Sequence, residues 1–535
     1  MIKYKTGSSY TDLKTIAKND PLIKKIQNSK QSKGNYIFYD ENNNKYYYDC
    51  LAHKLIVGAT GTGKTSSFII PNIFNCIENN KNYVCISQSE DIIGYTYDYA
   101  LKNGYDIKQL NLTHLECSDC FNPLLNAYYQ YKIGTKESEH KANNIIKCIV
   151  KQLFNNNSKN ADPFWEQGSI TIVEGMIQLL FSVAENDKMV NMYSINKILA
   201  DGNSRMMGTI LLEKFIEQLL NNGYEVNCKE KLSTYYSGAG ETRGSFQSVI
   251  NEGISFFTDS SLMKYIFSSK NDFNFDKLVN ENNKIAYYVV TPFSNKDYTK
   301  AIGIFIETML NELIENVCDI NLPNKKIIIF ADECQTYFNP DIANYLSQIR
   351  KYNIEFCLAL QSPSQLISKF GKDVYRTITA NCDVKIYYGI DDIEEAKRIS
   401  NSVGNKIIFY NDKKVEYPLI KPASLINLPN KLVFVNIHNY NFFSKIHPYY
   451  ELKKYKNIKF IKSEFRKNNN YEINNDYYFD IKKSYSYFIN HKMEQIFNQK
   501  PIIENNSNEN YVDELLNKID KKIAQLEESE KDNHD

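Results

Sequence analysis

The period of apolar and polar positions changes twice along this chain. Three short apolar runs come first: HKLIVG at 53–58, YVCISQ at 83–88 and IKQLNL at 107–112. Stretches of helical length separate them, an alternation that predicts an α/β layer structure. From about 127 to 270 the period becomes 3.6. Ala142, Ile145, Ile146, Ile149, Val150 and Leu153 follow the spacing of one helix face, and similar stripes run through 169–184 and 207–220. Strand texture then returns at 285–291 (IAYYVVT), 327–333 (IIIFADE), 356–361 (FCLALQ), 383–388 (DVKIYY) and 432–437 (LVFVNI). Such near-continuous apolar runs predict parallel strands covered on both faces. The pattern reads as one α/β core, 51–126 and 271–450, split by an inserted all-α domain at 127–270.

The ends differ from this body. Residues 1–50 are polar and tyrosine-rich, with DENNNK before YYYD, and predict a short β-rich arm. Residues 451–535 form a polar extension in which 504–510 (ENNSNEN) reads as a linker. Val512, Leu516, Ile519, Ile523 and Leu526 then make a short heptad stripe. At about two heptads it is too short for a self-standing coiled coil.

Composition narrows the classes. With 535 residues, 42% hydrophobic and 24% charged, the chain is globular. Its net charge of +1 excludes a globally basic nucleic-acid wrapper, so any DNA binding must come from a local patch or channel. The segment 501–535 carries 10 acids against 4 lysines, which leaves the rest of the chain positive. No apolar run approaches the ~18 residues of a membrane span, and MIKYKTGSSYTDLK lacks the apolar core of a signal peptide. The 11 scattered cysteines predict reduced thiols of a cytosolic protein. Cys117 and Cys120 form one C-x-x-C near His114, but without a second pair they read as loop residues rather than a zinc site.

The strongest chemical signal is GATGTGKT at 58–65, which fits G-x-x-x-x-G-K-[ST]. A strand precedes it and a helix-compatible segment follows. In that setting the backbone N–H groups of Gly58, Ala59, Thr60, Gly61, Thr62 and Gly63 cradle phosphate, helped by the helix N-terminus. Lys64 reaches the β- and γ-phosphates, and the Thr65 hydroxyl ligates Mg²⁺. Pro71 lies past the first helical turn and predicts a kink. The apolar run at 327–331 ends in Asp332 and Glu333. Beside a phosphate loop, Asp332 holds Mg²⁺ through water and Glu333 polarises the attacking water. Gln361 ends another strand and is placed to orient that water, or simply to end the strand. Arg350 closes a helix, where a cation suits the dipole, or it serves as an arginine finger on a neighbouring subunit's nucleotide.

Together these segments resemble the type IV coupling proteins of bacterial conjugation, the TraG/TraD-like ATPases. The resemblance includes HKLIVGATGTGKTSSFIIPNIF (53–74), DCFNPL (119–124), DPFWEQGS (162–169) and ETRGSFQSV (241–249). It continues through the 327–333 strand, SQIRKYNIEFCLALQSPSQL (347–366) and ITANCDVKIYYG (378–389). It implies a RecA-like P-loop ATPase core with an inserted all-α domain, assembled as a homo-hexamer using ATP and Mg²⁺. It implies coupling of hydrolysis to moving single-stranded DNA, with its relaxase, into a type IV secretion channel. Gly58, Gly63, Lys64 and Thr65 match the family's phosphate loop. Asp332 and Glu333 match its second nucleotide motif, Gln361 its QS-x-SQL glutamine and Arg350 the arginine before that strand.

Two departures stand out. The family typically begins with a transmembrane anchor, and this chain shows none. The expectation is therefore a cytoplasmic protein, peripheral at the inner face of the cell membrane and recruited by a membrane-anchored partner. The family's D-P-K-G-E loop is SQSED at 87–91 here, with only Glu90 matching. Phe164 and Trp165 are candidates for stacking on bases, although packing between helices is the plainer use. The competing readings are a nucleotide-gated docking receptor for relaxase or effector proteins, and a related ring ATPase of DNA segregation or secretion assembly. DNA stimulation of the ATPase separates a motor from a receptor.

Overall fold

The computed structural model describes residues 2–7, 23–26, 35–39, 45–48 and 53–489, apart from 155–162, 207, 225, 269, 281, 293–297, 319–324, 411–412, 438–439, 467–477 and 488. The amphipathic tail expected at 511–528 lies outside the described residues. Among the described residues no helix is long and apolar enough to cross a membrane.

The first four strands are β1 (Ile2–Gly7), β2 (Ile23–Ile26), β3 (Asn35–Tyr39) and β4 (Lys45–Tyr48). The arm expected at 1–50 thus contains strands, and β2, β4 and β3 pair antiparallel in that order. The body of the molecule is a nine-stranded sheet. Its members are β5 (His53–Val57), β6 (Asn82–Ser87), β7 (Asp106–Asn111), β10 (Ile285–Val290), β11 (Ile327–Ala331), β12 (Ile354–Leu360), β13 (Cys382–Tyr387), β16 (Leu432–Ile437) and β17 (Tyr440–Lys445). They lie in the order β17-β16-β13-β5-β12-β11-β6-β10-β7. The strands from β13 to β7 are all parallel, and β5, β6, β10, β11 and β12 are buried throughout. That burial explains their largely apolar sequences.

One expectation is corrected here. The run at 432–437 is not a parallel strand, because β16 pairs antiparallel with both β13 and β17. A strand covered on both faces, as β16 is at Val433, Phe434 and Val435, is apolar whichever way it runs. A further hairpin, β14 (Asn405–Tyr410) with β15 (Lys413–Pro418), pairs with β1.

Helix α1 (Ile70–Glu78) covers one face of the sheet. Phe68, Ile73, Phe74 and Ile77 pack in one apolar cluster with Ile56, Phe330, Ala359 and Ile386. Among the described residues between β7 and β10, the regular elements are helices apart from the two-residue strands β8 (Arg205–Met206) and β9 (Thr209–Ile210). In α2 (Lys136–Phe154) the stripe read from the sequence is buried at Ala142, Ile145, Ile146, Ile149, Val150 and Leu153. The stripe expected over 207–220 is a helix only from Leu211, with the β8–β9 hairpin ahead of it. In α3 (Pro163–Val183), Gly168 lets Phe246 close onto the backbone, so the DPFWEQGS and ETRGSFQSV segments meet. Trp165 stands edge-on to that Phe246 ring at 4.9 Å. It packs between helices, while Phe164 beside it is 57% exposed.

Candidate nucleotide site

The C-terminal ends of β5, β12 and β11 lie side by side, which is where open α/β sheets bind ligands. Each supplies part of one site. After β5 the loop 58–65 turns through Gly61 at φ 81° and Gly63 at φ 92°, a backbone that residues with a Cβ rarely adopt. Gly58 is needed for a different reason: a Cβ there would come within 2.5 Å of the Tyr388 Cβ. The Gly58 N–H donates to the Leu360 carbonyl at 3.1 Å, which fixes the loop against the end of β12.

The helix leaving the loop opens with a π-helical turn, Thr65–Ile69, before α1. Pro71 falls at the start of α1. The irregularity expected at Pro71 therefore takes the form of a widened first turn, in which Ile70 N–H donates to Thr65 O.

Lys64 is 5% exposed and folds back on its own loop, donating to Gly58 O at 2.5 Å and Ala59 O at 3.1 Å. Burial pushes its pKa down, opposed by the charges of Glu333 and Asp332. Thr65 Oγ1 donates to Asp332 Oδ2 at 3.0 Å, joining the loop to the end of β11. Asp332 is buried, and burial first, then the neighbouring Glu333 charge, raises its pKa to about 6 against the pull of Thr65 and Lys64. Its other oxygen, Oδ1, is buried with no hydrogen-bond partner among the described residues. A hydroxyl and an orphaned carboxylate oxygen are the donors a hard divalent cation takes, so Thr65 and Asp332 fit Mg²⁺.

Glu333 leaves the strand in the left-handed region, φ 55° and ψ 43°. Gln335, 7% exposed, donates to Glu333 Oε2 at 2.8 Å. Gln361 directly follows β12, between the loop strand and the acidic strand. Four sequence-derived elements are thus gathered here: the 58–65 loop, Asp332, Glu333 and Gln361.

Arg350 is not among them. It lies just before β12, at the opposite end of the sheet, in an ion pair with Asp383 at the start of β13. Glu90 also does other work: it accepts from Asn111 Nδ2 at 2.7 Å and pairs with the buried Arg466 at 3.1 Å. Cys117 is buried and donates to Ser463 O at 3.2 Å, consistent with a packed loop. Sequence reasoning missed Gln335, together with Gln365 and Lys369, which also reach the turn after β11. Their only signal is a glutamine two residues past the acidic pair and another inside QSPSQL.

The family model described as "Type IV secretory system Conjugative DNA transfer" matches residues 7–413. The chain is 20% identical over 424 residues to the conjugal transfer protein TraG of Escherichia coli, covering 73% of this chain and 64% of that protein. It is 21% identical over 367 residues to the type IV secretion system-coupling protein VirD4 of Bartonella henselae, covering 66% of this chain and 53% of that protein. The chain thus spans less than two thirds of the length of these relatives. Among solved structures it is similar to the bacterial conjugative coupling protein TrwBdeltaN70 in complex with sulphate. There the TM-score is 0.58 at 13% identity, over 84% of this chain and 95% of that one. The plasmid coupling protein TrwB in complex with ADP and Mg²⁺ gives 0.57 at 14% identity, over 84% and 94%. These likenesses show the fold, a RecA-like P-loop core.

Proposed function

This chain belongs to the type IV secretory system conjugative DNA transfer family, and from that premise we propose that it is an ATP-hydrolysing coupling protein. In this reading it drives relaxase-bound single-stranded DNA toward a type IV secretion channel, as a homo-hexamer at the inner face of the cell membrane. The observation that carries the reading is the Thr65–Asp332 contact at 3.0 Å, beside a buried and unpaired Asp332 oxygen. A merely structural acid at a strand end has no reason to keep an oxygen unsatisfied.

The residues divide the work. Backbone N–H groups of 58–65 hold the phosphates, and Lys64 turns from Gly58 O and Ala59 O to the β- and γ-oxygens. Mg²⁺, when held by Thr65 and Asp332, supplies neutralisation of phosphate charge. Glu333 takes the proton of the attacking water, and Gln361 orients it. Arg350 acts on the nucleotide of the next subunit. Residues 51–126 and 271–450 are the nucleotide domain in this scheme, and 127–270 the substrate-facing insertion.

The test is steady-state ATPase activity against protein concentration, with and without single-stranded DNA, using Glu333→Gln as control. Turnover that rises with both concentration and DNA, and vanishes in the control, is the expected result. Turnover indifferent to DNA would replace the motor with a nucleotide-gated receptor.

A further inference from the structure

The turn after β11 contains a polar relay that the mechanism above does not use. Glu333 sits in a left-handed backbone conformation that the surrounding structure must hold, and its carboxylate has a neighbour that holds it in turn. Gln335 Nε2 is the neighbour: it donates to Glu333 Oε2 at 2.8 Å and also to Gln365 Oε1 at 3.0 Å. Gln365 lies on α4 (Pro363–Phe370), which starts two residues after Gln361. Its own amide reaches back to Gln361 Oε1 at 3.5 Å. The same helix grips the turn a second time. Lys369 Nζ donates to the carbonyls of Gln335, Thr336 and Phe338 at 2.8, 3.0 and 3.2 Å.

We infer that Gln335 is a positioning residue for Glu333, and that through Gln365 it links the direction of the general base to the helix carrying on from Gln361. The inference rests on the ATPase reading of this site. The physical argument is one of geometry. The amide is buried, so it is held by its two acceptors rather than by water. An ionised carboxylate is a strong acceptor, so the Glu333 bond is the stronger of the two. Lys369 fixes the backbone from which Gln335 projects. A shift of α4 when Gln361 meets a γ-phosphate therefore moves the same amide that aims Glu333. The side-chain hydrogen bonds of Gln335 go to Glu333 and Gln365 and not to the 58–65 loop, so its loss leaves the phosphate cradle in place.

The experiment uses the full chain with ATP and compares wild type, Gln335→Met, Glu333→Gln and the double variant. Methionine keeps the bulk and removes the donor. Misaiming a catalytic group by about 1 Å costs up to ~100-fold, so Gln335→Met is expected to lower kcat by about 10-fold. KM for ATP and equilibrium ATP affinity stay within about twofold of wild type, since this loss is of orientation and not of binding. In the Glu333→Gln background the second substitution costs nothing further, because the group it aims is gone. Gln335→Met turning over like wild type while Glu333→Gln is inactive overturns the inference alone. Wild type no faster than Glu333→Gln overturns the ATPase reading and this inference with it. If Gln335→Met fails to fold, the exposed Gln365→Ala replaces it. A kcat reduced about threefold at unchanged KM is then the supporting result, and an unchanged kcat the overturning one.

Discussion

At the N-terminal ends of β5, β11 and β12 the charges meet one another, and at the C-terminal ends of the same strands they do not. At the first end Glu355, fully buried, is held between the ammonium groups of Lys54 and Lys326. Burial alone would raise its pKa, but the two lysines overcome this and hold the carboxyl down at about 2. His53 alongside is kept neutral, its pKa lowered to about 4 chiefly by burial. Its Nδ1 accepts from Phe356 N–H at 3.1 Å, so Nε2 donates to Leu346 O at 3.0 Å. At the second end Lys64 donates to carbonyls of its own loop, and Asp332 keeps one oxygen without a hydrogen-bond partner among the described residues. One sheet thus carries a neutralised end and an end whose charges await a ligand. Buried polarity by itself marks neither; the state of its partners distinguishes structure from function.

The sharpest break of this comparison is Glu355→Ala. It strands Lys54 and Lys326 without the carboxylate between them. Removing one member of a buried ion pair costs about 3–5 kcal/mol, and a denaturant midpoint reads it directly. A loss below about 1 kcal/mol would mean that the two ends are electrostatically alike. The pH dependence follows from the depressed carboxyl. Its stabilisation is present above the unfolded value of about 4 and is lost as pH falls toward 2.

Asp332→Asn probes the other end, with the opposite sign. A carboxyl whose folded pKa is raised to about 6 stabilises the fold only when protonated. That contribution is present below about pH 4 and is lost as pH rises through 6, so the charged form is a burden at neutral pH. Replacing it with a neutral amide is expected to stabilise the ligand-free chain at pH 7 by about 2 kcal/mol. In a melting experiment the gain disappears near pH 4. Mg²⁺ added with nucleotide raises the melting temperature of wild type more than that of the variant. A variant that is less stable than wild type at pH 7 would show that Asp332 is a structural acid.

The ends were not equally legible in the sequence. The loop at 58–65 was, because its glycines answer to backbone angles that few other residues reach, and Lys64 and Thr65 sit at fixed offsets from them. Asp332 and Glu333 followed from an apolar strand ending in acids. The helical stripe from Ala142 to Leu153 was legible because one buried face imposes one period. The antiparallel sense of β16 was not, since apolar cover on both sides looks the same in either direction. The β8–β9 hairpin was hidden inside an apolar stripe, where Gly208 at φ 85° is its only mark. Gln335 was invisible for a stronger reason. Its role depends on Gln365, 30 residues away, and on a turn geometry that no periodicity encodes. The Lys54–Glu355 pair, 301 residues apart, was likewise a matter of strand order alone.

The smallest effect is expected at Arg350, and it tests whether the neutralised end also has a partner in another chain. Arg350 is 42% exposed and Asp383 16% exposed, so their pair is worth no more than about 1 kcal/mol to the fold. The seven residues of β12 separate Arg350 from the phosphate loop of its own chain by about 23 Å. No side chain spans that distance, so Arg350→Ala leaves the turnover of dilute, unassembled chains unchanged. At concentrations where wild-type turnover rises, the variant is expected to lag, because the missing guanidinium belongs to a neighbour's nucleotide. Mixing makes the assignment unambiguous. Chains lacking Arg350 but retaining Glu333, mixed with Glu333→Gln chains that retain Arg350, are expected to turn over faster than the same amount of Arg350→Ala chains alone. Equal loss in dilute and concentrated protein, with no recovery on mixing, would confine Arg350 to its pair with Asp383.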